Sequence, residues 1–252
     1  MKDLYLATGR KAIRSIADGG DGGFDATAWL KRLKAVVRPY VEWLMADGAV
    51  TEWRLHGPRD IRSAKDGVDK RKPWRPGQRH PEWMELPEEV RDAIEDGAEE
   101  LLDKPYWNDV AETVRSDIAD ALSKGTQEGD TNKQKAERIE EILGPAGSER
   151  RANLIARTES TGLLNRGHQE VRDQLQGMGI VKAKEWLGVM DDSIRPSHEE
   201  ANGQQVGNDE PFQVGDETCD YPGDPELSAE QRCGCRCTAI SILADDEAGQ
   251  EG

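Results

Sequence analysis

The periodicity of this chain changes once, and the change limits the folds open to it. Up to Gln176 the apolar residues recur at helical spacing. Gly177-Met178-Gly179 ends that pattern, and Val181 to Leu187 then alternates as a strand does. Thr238 to Leu243 reads as a second short strand. Between the two lie long runs of Gly, Pro, Asp and Asn. Loops of that length inside a compact domain need something to pin them, or they are functional themselves. The expected architecture is α+β: a mainly helical N-terminal region, then a small domain with a long helix, few short strands and long loops.

The helical region reads in order. Residues 3–17 carry a loose apolar pattern through Leu4, Leu6, Ala7, Ala12, Ile13 and Ile16, and the glycine-rich run 18–23 ends it. Asp25 is a plausible N-cap for a stronger helix with Trp29, Leu30, Leu33, Val36, Val37, Tyr40, Val41 and Leu44 on its stripe. Pro39 is expected to kink or split it. Pro87 opens the next helix, with Glu88 and Glu89 at the positive end of its dipole. Val90, Ile94, Leu101 and Leu102 line that helix, and Asp103-Lys104-Pro105 breaks it. Trp107, Val110, Ala111, Val114, Ile118, Ala121 and Leu122 mark a further amphipathic helix. Thr131 and Gln134 form a capping box for a short helix that Gly144-Pro145 stops. A last long helix is expected from about Glu149 to Gln176, with Leu154, Ile155, Thr158, Thr161, Gly162, Asn165 and Val171 facing inward.

Composition narrows the class of function. Hydrophobic residues are 35% of the 252, and the mean hydropathy is -0.81, so the core is lean. Seven Trp against two Phe place much of the burial on a few indoles. The formal net charge of -16 repels phosphate. That argues against a free-standing nucleic-acid module as the main function. No apolar run approaches the ~20 residues that span a bilayer, and no apolar signal segment follows Lys2, so folding in a cytoplasm is expected. Residues 244–252 form an acidic tail.

One stretch, 54–82, is basic. Its Arg59, Arg62, Lys70, Arg71, Lys72, Trp74 and Arg75 could dock on an acidic protein surface or on packaged DNA. The plainer reading is a solvated loop.

Two groups of residues carry candidate chemistry. The four cysteines, Cys219, Cys233, Cys235 and Cys237, all fall in one short interval downstream of His198. One imidazole and four thiols are the donors Zn²⁺ takes in structural sites. On a strand Cys233, Cys235 and Cys237 would share a face. The spacing is not that of a zinc knuckle. Reduced thiols packed as small hydrophobes, or a disulfide such as Cys219–Cys233, would explain the same residues. The second group is Arg157, Glu159, Asp191, Asp192 and Arg195, which suits a latch that fixes loop geometry through charge-assisted hydrogen bonds. Catalytic signatures are mostly missing: His198-Glu199-Glu200-Ala201-Asn202 starts like a zinc-protease helix, but Asn202 stands where the second His would be.

An ordered set of segments resembles a known family, the phage Mu F-like, phage head morphogenesis (minor head) proteins. The set is Ala156-Arg157-Thr158-Glu159 on a helix, Trp186, Asp191/Asp192 with Arg195-Pro196-Ser197-His198, then Gly203, Phe212, Tyr221-Pro222-Gly223-Asp224-Pro225, and Cys235-Arg236-Cys237 leading into a strand. It covers about 148–243. Gly234 departs from the family's usual Asn, and Cys219 and Cys233 are additional. The resemblance implies a low-copy virion component at the portal vertex and capsid interior, assembled in the host cytoplasm. Its implied partners are portal, major capsid or scaffold protein, with no membrane and only incidental contact with packaged DNA. It implies a role in head assembly, DNA packaging or ejection. The corresponding division is a helical docking region 1–147, the Mu F-like domain 148–243 and the tail. Two rivals remain: a phage-delivered effector enzyme of transferase type, with Arg157, Glu159 and His198 as first suspects, and a zinc-stapled binding module.

Overall fold

The computed structural model describes residues 2–17, 24–58 and 79–244. In chain order the elements are α1 (Lys2–Ala17), α2 (Ala26–His56), a single 3₁₀ turn (Trp83–Glu85), α3 (Glu88–Asp103), α4 (Tyr106–Gln127), α5 (Asn132–Leu143) and α6 (Pro145–Gly177). After them come β1 (Val181–Leu187), α7 (Pro196–Ala201), β2 (Gln205–Gly207), β3 (Phe212–Val214), β4 (Glu217–Cys219), α8 (Ala229–Arg232) and β5 (Thr238–Leu243). This is an α+β fold, helical first and with its small antiparallel sheets in the C-terminal part. No helix among the described residues is long and apolar enough to cross a membrane. Residues Arg59, Arg62, Lys70, Arg71, Lys72, Trp74 and Arg75 lie outside the described residues, as do 245–252 of the acidic tail.

The chain forms two compact units, interleaved along the sequence: 1–38 with 102–156, and 39–101 with 157–252. In the first, α4 buries Trp107, Ala111, Val114, Ile118 and Ala121, and α5 buries Ile139 and Leu143. The α5 start is the expected capping box. Thr131 accepts from the Gln134 backbone, and the Gln134 side chain accepts from the Thr131 N–H at 2.9 Å. The Asp25 side chain caps α2 through the Ala28 N–H, also at 2.9 Å.

Two helical expectations need correction. Pro39 does not split α2, which runs through it as one helix. The carbonyl that loses its partner belongs to Ala35, which is exposed, so solvent can satisfy it. α6 starts a turn earlier than expected, because Pro145 suits a first helical position and the Gly144 carbonyl accepts from Ser148. Leu154 does not face inward but is 49% exposed. The buried face of α6 includes the expected Thr158, Asn165 and Val171 and continues through Gln169, Arg172 and Leu175.

The second unit holds both sheets. One is three-stranded and antiparallel in the order β2-β1-β5, with Trp186 opposite Ala239 and Glu185 opposite Gln205. The other is the hairpin β3-β4. Within this unit α2 crosses α6 at almost bare backbone. A Cβ on Gly167 would stand 1.9 Å from the Met45 carbonyl oxygen, and one on Gly48 would stand 2.2 Å from that of Leu164. Beside the crossing, buried Glu52 on α2 accepts from Ser241 on β5 and lies 2.8 Å from His168 Nδ1 on α6.

The crossing predicts the sign of a substitution. Gly→Ala inside a helix normally gains up to ~1 kcal/mol. At Gly167 the methyl meets backbone, and overpacking of that kind costs ~1–3 kcal/mol. Gly167→Ala is therefore expected to destabilise the chain by ~1–3 kcal/mol in urea titration. Gly177→Ala, with nothing within 4 Å of its Cβ, is expected to be neutral or stabilising. A Gly167→Ala chain as stable as wild type would disprove the close crossing.

Candidate metal centre and the latch around it

The site is built from one face of α6. Thr158, Thr161 and Asn165 recur at helical spacing, so their side chains line up along the helix. Each meets the segment that leads into β5. The Gly234 N–H donates to Thr158 Oγ1 at 2.9 Å, and Thr161 Oγ1 donates to the Cys235 carbonyl at 2.9 Å. Asn165 Nδ2 reaches the carbonyls of Pro222 and Cys237, each at 3.0 Å, while its Oδ1 accepts from Thr238 Oγ1 at 2.8 Å. Beside them Arg232 at the end of α8 pairs with Glu159 at 2.8 Å. Gly162 and Gly223 make the approach possible: a Cβ on Gly162 would lie 2.6 Å from the Gly223 carbonyl oxygen.

This grip fixes the cysteines. α8 ends at Arg232, and Gly234 takes φ 69. That is the left-handed region, which glycine enters freely and Asn more readily than other residues. Gly234 in place of the Asn that the resemblance leads one to expect is thus conservative in backbone terms. It also corrects the expectation of three cysteines on one strand face. Cys233 caps α8 in the turn before β5, and its carbonyl accepts from Arg195. Cys235 and Cys237 are buried together below it.

His198 arrives from the other side. Pro196 opens the short α7, which buries His198 and Ala201. The imidazole sits edge-on to the fully buried Trp186, with centroids 5.6 Å apart. Its Nδ1 is 3.4 Å from Cys237 Sγ and 3.7 Å from Cys235 Sγ. The donor atoms of His198, Cys235 and Cys237 all lie within 4.8 Å of one another. Cys219 and Cys233, expected as further ligands, are not members of that group. Cys219 lies on β4 opposite Phe212, inside the apolar cluster around Trp186. Burial pushes its thiol up.

The three remaining donors suit a metal ion. Two thiols and an imidazole are ligands of borderline-soft cations such as Zn²⁺. Each sulfur is approached by a backbone N–H: that of Cys237 lies 3.4 Å from Cys235 Sγ, and that of Val189 bonds Cys237. Such outer contacts favour thiolates. The hydrogen bond from Cys235 draws the Cys237 thiol down against the effect of burial, with further help from His198. The same hydrogen bond, together with burial, pushes the Cys235 thiol up. His198 Nε2 is buried with no hydrogen-bond partner among the described residues.

The expected latch residues divide. Asp191 pairs with both Nη atoms of Arg236, at 2.6 and 2.7 Å, and Glu159 pairs with Arg232. Arg195 holds the Cys233 carbonyl. Arg157 and Asp192 are exposed and belong to none of these pairs. Asn202 accepts from the Gly188 N–H at 2.8 Å, so it locks a loop. Sequence reasoning missed the arginine partners Arg232 and Arg236, since nothing in the spacing links positions so far apart. The i, i+3, i+7 run of Thr158, Thr161 and Asn165 was a usable signal for the rest.

The family described as "Phage Mu protein F like protein" matches residues 113–240 of this chain. The match begins within α4, upstream of the span expected from the residues, and ends in β5. Two curated relatives are similar over parts of the chain. The "NAD(+)--arginine ADP-ribosyltransferase EFV" of Enterococcus faecalis is 27% identical over 138 residues, which is 55% of this chain and 27% of that protein. The "Uncharacterized protein YqbB" of Bacillus subtilis is 36% identical over 67 residues, 25% of this chain and 22% of that protein. The chain thus spans about a quarter of the length of the curated relatives it matches. No solved structure matches it.

The Asp191–Arg236 pair makes a titration testable. Its hydrogen bonds from Arg236, with one from the Ser193 backbone, hold the Asp191 carboxyl down to about 2 from 3.8. A depressed folded value means that the pair's contribution is present above the unfolded pKa and is lost as pH falls from about 3.8 through about 2. Arg236→Ala is expected to return the Asp191 carboxyl toward ~3.9, read by carboxyl ¹³C NMR titration. A midpoint that stays near 2 would show that Arg236 is not its cause.

Proposed function

The chain belongs to the Phage Mu protein F like family of phage head morphogenesis proteins, and on that premise we propose that it is a minor head protein of a tailed bacteriophage, acting at the portal vertex in head assembly, DNA packaging or ejection. The observation that carries this reading is the match over half the chain. The physical character of the site supports it. The long loops between β1 and β5 are pinned by latches, as a protein that presents fixed surfaces to neighbours requires. The partners proposed are portal protein, with major capsid or scaffold protein beside it, on the capsid interior. Region 1–147 is proposed as the docking part, since amphipathic helices suit helix-in-groove contacts. Arg59, Arg62, Lys70, Arg71, Lys72, Trp74 and Arg75 would add a basic docking arm. Contact with packaged DNA would be incidental for a chain of net charge -16.

A second reading, an effector enzyme of transferase type, is favoured by the E. faecalis relative's name alone. The residues such an enzyme would recruit first have unlike surroundings. Arg157 is exposed, Glu159 is paired with Arg232, and His198 is buried against thiols.

Cross-linking mass spectrometry on purified phage heads tests the reading. Cross-links from the N-terminal helices or from 54–83 to portal are expected. Heads without the chain, or with it present but joined to neither portal nor capsid protein, would turn the reading toward the effector.

Within the same reading, zinc is proposed as a structural ion at His198, Cys235 and Cys237, stapling α7 to the segment before β5. Native mass spectrometry should find one zinc per chain. Chelation should lower the melting temperature by ~5–10 °C, the size expected for losing a ligand held well above its dissociation constant. A zinc-free chain whose melting ignores a strong chelator would remove the ion from the reading.

A further inference from the structure

Three donors do not fill a tetrahedral shell. Closed structural zinc sites take four protein ligands, and sites with three keep a position for something else. Among the described residues the chain offers no obvious fourth. Cys219 points into the apolar cluster, Cys233 sits in the turn, and the neighbouring carboxylate of Asp191 has both oxygens on Arg236.

A small cleft leads to the three donors. Its walls include Val189, Ser193, Ile194, Arg195 and Arg236, and it shares His198, Cys235 and Cys237 with the cluster. Two thiolates already balance the charge of a divalent ion, so an added anion would bring one net negative charge. The Arg236 charge is already balanced by Asp191, but the Arg195 guanidinium, bonded only to the neutral Cys233 carbonyl, lines the cleft with positive charge, which favours such a ligand.

We propose that the ion at His198, Cys235 and Cys237 keeps one coordination position facing this cleft, and that a monodentate anionic ligand from outside the chain completes the shell. The ligand's class is a carboxylate or a small inorganic anion. In an assembled head the carboxylate could come from an acidic side chain of a neighbouring protein. This inference rests on the zinc reading above.

Cobalt separates the two. The full chain would be loaded with Co²⁺, its stoichiometry taken by native mass spectrometry, and its visible spectrum followed while azide or acetate is added. The expected result is one Co²⁺ per chain and a saturable shift of the ligand-field bands with either anion. Cys219→Ala, Cys233→Ala and Asp191→Asn chains are expected to give the same anion-free spectrum and the same shift. A bound Co²⁺ whose spectrum ignores both anions would overturn the open position while leaving the ion in place. A changed anion-free spectrum in any of the three variants would overturn it too, by naming a ligand from the chain itself. Failure to bind Co²⁺ or Zn²⁺ at all would overturn the zinc reading and this inference with it.

Discussion

Asn165 joins to one turn of α6 two segments that are distant in sequence. Its amide is buried, and it bonds the Pro222 carbonyl, the Cys237 carbonyl and the Thr238 hydroxyl. An Asn side chain has two N–H donors and an oxygen that accepts, so these contacts occupy both donors and leave no polar atom of the amide without a partner. A buried polar group left without a partner costs ~1–3 kcal/mol. The amide therefore tolerates few other placements of the Tyr221–Pro225 loop or of the start of β5. Thr158 and Thr161 repeat the arrangement a turn earlier, on Gly234 and Cys235. The geometry of the cysteines follows from that grip. Gly234 can turn because it has no Cβ, the bond from its N–H to Thr158 holds the turn, and the turn separates Cys233 from Cys235 and Cys237.

Close approach and hydrogen bonding are one constraint here. Short side chains such as Thr and Asn reach a neighbouring backbone only if the two backbones nearly touch. Gly162 stands against Gly223, which itself takes φ 82, a conformation that disfavours a side chain. The α2–α6 crossing uses the same device at Gly48 and Gly167. Those glycines sit inside helices, where they forgo ~1 kcal/mol of propensity each. Packing at the crossing has overridden the local preference.

That conflict explains which parts of the fold were legible in the sequence. The capping box at Thr131–Gln134, the cap at Asp25 and the strands β1 and β5 are set by residues close together in the chain, and they stand where the sequence puts them. The α2 helix passes Pro39 because the lost bond falls on an exposed face, which a stripe of apolar residues does not reveal. The very short β2, β3 and β4 carry too few residues for an alternation to register. Among the latch residues the acids could be picked out, but their arginines could not. Pairing Glu159 with Arg232, or Asp191 with Arg236, depends on the fold of everything between. The cysteine reading failed at one backbone angle. An extended segment would have aligned Cys233 with Cys235 and Cys237, and the left-handed Gly234 removes it.

The buried ionic groups raise a question that stability alone does not answer. Glu52 lies among His168, Ser241 and Arg172. Burial raises its carboxyl, yet the His168 hydrogen bond and the charge of Arg172 outweigh it, so the net shift is downward. Arg172 is fully buried and donates to the Ala239 carbonyl at 3.1 Å, and buried Lys184 donates to that of Asp220 at 2.9 Å. Replacing such groups with apolar ones of equal size is often neutral or stabilising, while removing one partner is costly. Their worth in a lean core is better understood as selection among arrangements. An apolar face accepts many registers of helix on sheet. A buried carboxylate that must meet a histidine, a serine and an arginine accepts few. The same reasoning applies to the thiols. His198 against Cys235 and Cys237 adds little as apolar contact, but it matches α7 to one position beside β5, and a metal ion would make that match stricter still.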